Sequence, residues 1–187
     1  KDNGNSIDVF WSDLNKSINY TADFFLNNLT KSNNKYPNLK NFLTLSPLPF
    51  FSTWLEKTEP DTFANFAVID WSDTTEENEK KLVEAVGRYF LNSTRKDNQP
   101  NDPVARFHLG NGALLDRINL SGNLSSKGLS ESFGIMVNYR YDLPNVEKNH
   151  EAYAKEQKIE ISQEVKKLLN SSNISIIDPP RYLPNIN

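Results

Sequence analysis

Apolar residues along the chain recur at two different spacings. Ile135, Val137, Tyr139 and Tyr141 alternate with Met136, Asn138 and Arg140, a period of two that predicts a half-buried strand. Leu82, Val83, Val86 and Phe90 instead recur on one helical stripe with Glu and Lys opposite, predicting a helix over 75–93. Thr74 followed by Glu77 predicts a capping box at its start. Ile7 to Trp11 reads as a short strand, and Phe42 to Leu45 as a buried strand stopped by Ser46-Pro47-Leu48-Pro49. Between them, Ile18, Phe24, Phe25 and Leu29 fall near helical spacing from Ser17 to Lys35, a stretch ended by Pro37. Phe50 to Leu55 fits a short helix, and 95–103 a polar loop. Glu147 to Leu169 reads as helical with a break near Lys158, and the Pro-containing tail from Asp178 as loosely held. Strands alternating with helices predict an α/β or α+β protein: one domain over 1–177 and a tail over 178–187.

Composition narrows the function. The 187 residues suffice for one core, and 37 % hydrophobic with 24 % charged residues is not the profile of a disordered chain. A net charge of −3 argues against a broad nucleic-acid-binding face. The chain has no Cys, which removes disulfides, thiolate nucleophiles and cysteine zinc sites together. Its two histidines, His108 and His150, have no HxH or HxxxH spacing, so no metal site is expected. No run approaches the roughly 18 apolar residues that cross a bilayer, and no membrane partner is expected. With no Cys and no leader pattern, a cytoplasmic or mitochondrial-matrix setting is expected.

Two segments carry more specific information. One is Asn41-Phe42-Leu43-Thr44-Leu45-Ser46-Pro47-Leu48-Pro49. The other begins Asp102-Pro103-Val104-Ala105-Arg106-Phe107-His108-Leu109-Gly110-Asn111-Gly112-Ala113, then Arg117-Ile118-Asn119. It continues through Ser125, Gly128-Leu129, Ser132 and Gly134 to Met136-Val137-Asn138-Tyr139-Arg140-Tyr141, and ends at Asn149-His150-Glu151 and Tyr153. On residue type alone, Ser46 before a proline is a turn former, and His108 beside Phe107 and Leu109 is a partly buried side chain. In identity, order and spacing, however, the series resembles the carboxy-terminal part of the catalytic domain of the malonyl-CoA decarboxylase family.

That resemblance implies a mixed sheet of the N-acetyltransferase superfamily, flanked by helices and lacking its first strands, with coenzyme A in a cleft between splayed strands. It implies decarboxylation of malonyl-CoA to acetyl-CoA and carbon dioxide, with Ser46, His108 and Tyr141 as catalytic residues. Ser46 and His108 are expected to hold the carboxylate, and His108 or a water it holds to protonate the enolate. Pro47, Asn111, Asn119 and Asn138 are expected near the substrate. The thioester is its own electron sink, so no cofactor is expected beyond the coenzyme A carried by the substrate. The partner is malonyl-CoA or a related acyl thioester. An oligomer, or a chain segment that completes the sheet, is also expected, because a sheet opening at Ile7 leaves a bare edge.

The chain departs from the family pattern where a glycine-rich segment would receive the coenzyme A pyrophosphate at a helix amino terminus. Here the stretch is Asn15-Lys16-Ser17-Ile18-Asn19-Tyr20-Thr21, without glycine, and Lys16, Ser17 and Thr21 are the expected substitutes. Leu120 and Asn123 replace a Trp and an Asp usual in the family. Two other functions stay open: a weakly active or inactive relative serving as a structural or interaction subunit, and an acyltransferase delivering to an amine.

Overall fold

The computed structural model describes residues 6–10, 41–92 and 101–171; the expected helix over 17–35, the phosphate-binding candidates Lys16, Ser17 and Thr21, most of the expected loop and the tail lie outside them. Among the described residues, four strands form one mixed sheet in the order β1-β2-β4-β3. β1 (Ser6–Phe10) runs parallel to β2 (Asn41–Pro47). β4 (Met136–Asp142) is antiparallel both to β2 and to β3 (Leu114–Asn119). Among the described residues β1 is an edge strand.

The alternation expected for β4 is present and is matched on β2. Phe42, Thr44 and Ser46 on β2, and Val137, Tyr139 and Tyr141 on β4, are buried on one face. Their neighbours Leu43, Leu45, Met136, Asn138 and Arg140 are half-buried on the other. β2 runs further than expected. Ser46 pairs with Val137 and Pro47 with Met136, so Ser46 is a strand residue and the turn begins beyond Pro47. Pro47 is tolerated because it is the last residue of the strand.

Helices α1 (Phe51–Thr58) and α2 (Pro60–Ala67) follow, the second opening on a proline whose missing N–H costs nothing at a helix start. Then α3 (Glu76–Asn92) buries Leu82, Val83, Val86 and Phe90, the expected stripe, together with Tyr89, and concentrates Glu76, Glu77 and Glu79 at its positive end. Its cap differs from expectation. Thr75, not Thr74, accepts the Asn78 amide at 3.3 Å, and the buried Thr74 hydroxyl has no hydrogen-bond partner among the described residues. An aromatic cluster centred on Phe133, which touches Phe51, Phe63, Phe66 and Trp71, joins α1 and α2 to the core.

Besides α2, three elements have no counterpart in the hydrophobic pattern: α4 (Pro103–Gly110), β3 and α5 (Ser126–Ser132). The first and last are short helices announced by their caps, Asp102 and Ser125, rather than by a stripe. The strand is broken by a bulge between Leu115 and Arg117, which spoils its alternation. The expected break near Lys158 is present. α6 (Val146–Glu156) ends at Gln157 in the left-handed region, and α7 (Gln163–Ser171) begins after Ile161 bridges to Leu115. Among the described residues, no helix is long and apolar enough to cross a membrane.

Candidate active site

Three side chains that lie far apart in sequence meet on the buried face of the sheet. Ser46 and Tyr141 come from β2 and β4 and point inward because they share the parity of Phe42 and Val137. His108 comes from the last turn of α4 and stacks on the ring of Tyr139, with centroids 4.6 Å apart and planes at 21°. Its Nδ1 is 2.8 Å from Tyr141 Oη, and its Nε2 is 3.3 Å from Ser46 Oγ. One further hydroxyl extends the row: Thr44 Oγ1 is 3.1 Å from Ser46 Oγ. Thr44, Ser46, His108 and Tyr141 thus form a buried row of hydrogen-bonding groups, none more than 3 % exposed.

Burial sets the protonation of this row. Desolvation lowers the His108 pKa from 6.5 to about 3, so the imidazole is neutral at ordinary pH. The same cause raises the Tyr141 phenol well above its usual value, so it keeps its proton. Two hydroxyls, one neutral imidazole and one phenol can pass protons along the row, but none carries a resting charge.

The helix carrying His108 is held at both ends. At its start Asp102 accepts from the amides of Val104 and Ala105, each at 2.9 Å, and from Tyr89 Oη at 2.8 Å. Burial raises the Asp102 pKa, and the two amides and the phenol act against that rise by stabilising the carboxylate. At its end, Asn149 Nδ2 donates to Gly112 O at 3.2 Å and His150 Nδ1 to Gly110 O at 2.6 Å. Asn149 and His150 lie within α6, one turn past its start, and tie that helix to the end of the helix carrying His108.

Not all expected site residues gather here. Asn111 follows α4 directly and is buried, its amide bonded to the carbonyls of Phe107 and His108 at 3.2 Å each. Asn119 and Asn138 lie on the opposite face of the sheet from Tyr139. There Asn119 Nδ2 donates to Asn138 Oδ1 at 2.8 Å, and Asn138 Nδ2 to Thr44 O at 2.7 Å. Pro47 shares that face by parity. Thr44, Asp102 and Tyr89 are the residues that sequence reasoning did not assign. Thr44 had a signal: it stands two before Ser46 on a strand, and so on the same face. Among the described residues, no group of three His, Cys, Asp or Glu is placed to hold a metal ion.

The chain is similar to proteins of one family. The family model of the malonyl-CoA decarboxylase C-terminal domain matches residues 16–178. The mitochondrial malonyl-CoA decarboxylase of Anser anser anser is 31 % identical over 161 aligned positions, covering 69 % of this chain and 32 % of that protein. The enzyme of the same name from Rattus norvegicus is 28 % identical, covering 72 % and 34 %. Among solved structures, malonyl-CoA decarboxylase from Rhodopseudomonas palustris superposes with a TM-score of 0.74 at 31 % identity, over 87 % of this chain and 42 % of that one. The enzyme from Cupriavidus metallidurans gives 0.67 at 32 % identity, over 78 % and 43 %. The chain therefore spans about a third of the curated relatives and two-fifths of the solved structures.

Proposed function

The chain belongs to the malonyl-CoA decarboxylase family, and from that premise we propose that it supplies the centre at which malonyl-CoA loses carbon dioxide to become acetyl-CoA. The observation that carries the reading is the buried contact of His108 with both Ser46 and Tyr141, three residues drawn from β2, α4 and β4. Both ring nitrogens have a partner, and each partner is a side-chain hydroxyl able to give or take a proton.

Loss of carbon dioxide breaks the bond between the carboxylate carbon and the α-carbon, and its electron pair moves into the thioester as an enolate. The thioester accepts that charge, so the reaction as written draws on no further cofactor. What remains for the protein is to hold the carboxylate out of the thioester plane, to stabilise the enolate and to return one proton to carbon. In this reading the Ser46 hydroxyl donates to the carboxylate.

Because His108 is neutral in the substrate-free site, the proton does not begin as an imidazolium. It passes from Ser46 Oγ to carbon, from His108 Nε2 to Ser46, and from Tyr141 Oη to Nδ1, and solvent then restores the phenol. One bond to hydrogen is broken and one formed at each step, and one proton is consumed overall. General acid help of this kind is worth roughly 10²–10⁴-fold.

The test is to incubate the chain with malonyl-CoA, with no amine acceptor present, and follow acetyl-CoA and carbon dioxide. Equal release of both supports the proposal. A requirement for an amine, or no release of carbon dioxide, overturns it.

A further inference from the structure

We propose that Thr44 is a positioning residue that fixes the direction of the hydrogen-bond row and, with it, the tautomer of His108. The catalytic consequence rests on the decarboxylase reading; the structural content stands without it.

Thr44 Oγ1 has three neighbours. The Tyr139 amide donates to it at 3.3 Å, which uses one lone pair. Its single proton then has two acceptors in range, Ser46 Oγ at 3.1 Å and the Tyr139 carbonyl at 3.5 Å. Hydroxyl hydrogen bonds favour separations under about 3.0 Å and weaken beyond, so the nearer oxygen takes the proton. Ser46, receiving from Thr44, turns its own proton to His108 Nε2. Nε2 is then an acceptor, the ring proton lies on Nδ1, and Nδ1 donates to Tyr141 Oη. From Thr44 to His108 every donor meets an acceptor in this direction. The reverse direction forces the Thr44 proton onto the longer contact.

The preference is small, and a small preference is what a relay requires. An anionic carboxylate at Ser46 competes for the serine proton. When Ser46 turns to it, Nε2 loses its donor and the ring passes to the Nε2–H tautomer that the relay uses. Nε2 takes one proton from solvent and Nδ1 releases one to solvent by way of Tyr141, while Ser46 Oγ, with two lone pairs, accepts from Thr44 and from Nε2 together. Thr44 holds the row in its resting direction and permits the reversal that the proton transfer needs.

Nitrogen-15 NMR of the imidazole rings in the uniformly labelled chain, without substrate, tests this directly. Only two histidines contribute, and His150→Gln assigns the second. The expected result is a single Nδ1–H tautomer for His108 in the parent, a mixture of tautomers in the near-isosteric Thr44→Val, and the parent pattern in Thr44→Ser. With malonyl-CoA, kcat of Thr44→Val is expected to fall about tenfold with KM little changed, and Thr44→Ser to recover it. An Nε2–H tautomer in the parent overturns the proposal without any variant, as does an unchanged single tautomer in Thr44→Val. Absence of turnover in the parent would remove the decarboxylase reading and leave the tautomer measurement to decide the role of Thr44.

Discussion

His108 Nδ1 stands 2.8 Å from Tyr141 Oη, half an ångström closer than Nε2 stands to Ser46 Oγ. The phenol is therefore the firmer of the two partners and fixes the ring, while the looser serine side is free to meet a ligand. Tyr141→Phe keeps the ring in the core but leaves a buried imidazole nitrogen without its partner. It is expected to cost about 1–3 kcal/mol of stability and to lower turnover roughly 100-fold, read by thermal melting and by acetyl-CoA formation. A variant as stable and as active as the parent would show that the contact is passive.

The pH dependence of stability follows from the lowered His108 pKa. Between pH 6.5 and about 3 the unfolded chain binds a proton that the folded site refuses, so acidification favours unfolding across that window. The slope from this group approaches ~1.4 kcal/mol per pH unit. Asp102, raised by burial, acts in the opposite sense near the acid end, since the folded state takes up its proton more readily. Urea unfolding at pH 7 and pH 5 should thus show a stability loss in the parent that His108→Gln largely removes.

Asp102 caps α4 and also accepts from Tyr89. Asp102→Ala removes the cap and the carboxylate that accepts from Tyr89, and about 2 kcal/mol should be lost. Asp102→Asn keeps a capping oxygen and should lose less. Equal losses in the two variants, measured by urea unfolding, would mean that space filling rather than capping matters at this position.

Gly112 has φ +82°, and a Cβ there would fall 2.1 Å from the carbonyl oxygen of Val146, a backbone atom at the start of α6. The turn after α4 has no room to yield, because Asn149 also holds the Gly112 carbonyl. Gly112→Ala should cost more than about 1 kcal/mol in a thermal or urea melt. A neutral effect would show that α6 can move away from the site helix.

What the sequence disclosed was governed by how far each element announces itself locally. β4 and α3 are long enough for a full period to be seen, and both were legible. The helix carrying His108 is eight residues long, too short for a stripe, and its signal was the Asp102-Pro103 start that the pattern reading passed over. β3 was hidden by its bulge. Ser46, His108 and Tyr141 were named through family resemblance, because no local rule brings together residues 62 and 33 positions apart. The same resemblance placed Asn119 and Asn138 near the substrate. Strand parity, applied to Asn138 and Tyr139, already puts them on opposite faces. Thr44 was within reach of the same rule.

If the buried row centred on His108 performs the decarboxylation, the rate of acetyl-CoA formation from saturating malonyl-CoA must depend on it, as measured in the parent, Ser46→Ala and His108→Gln, each first shown to be folded. The expected result is turnover in the parent, with kcat lower by about 10²–10⁴-fold in both variants. Undiminished turnover in either folded variant would contradict it.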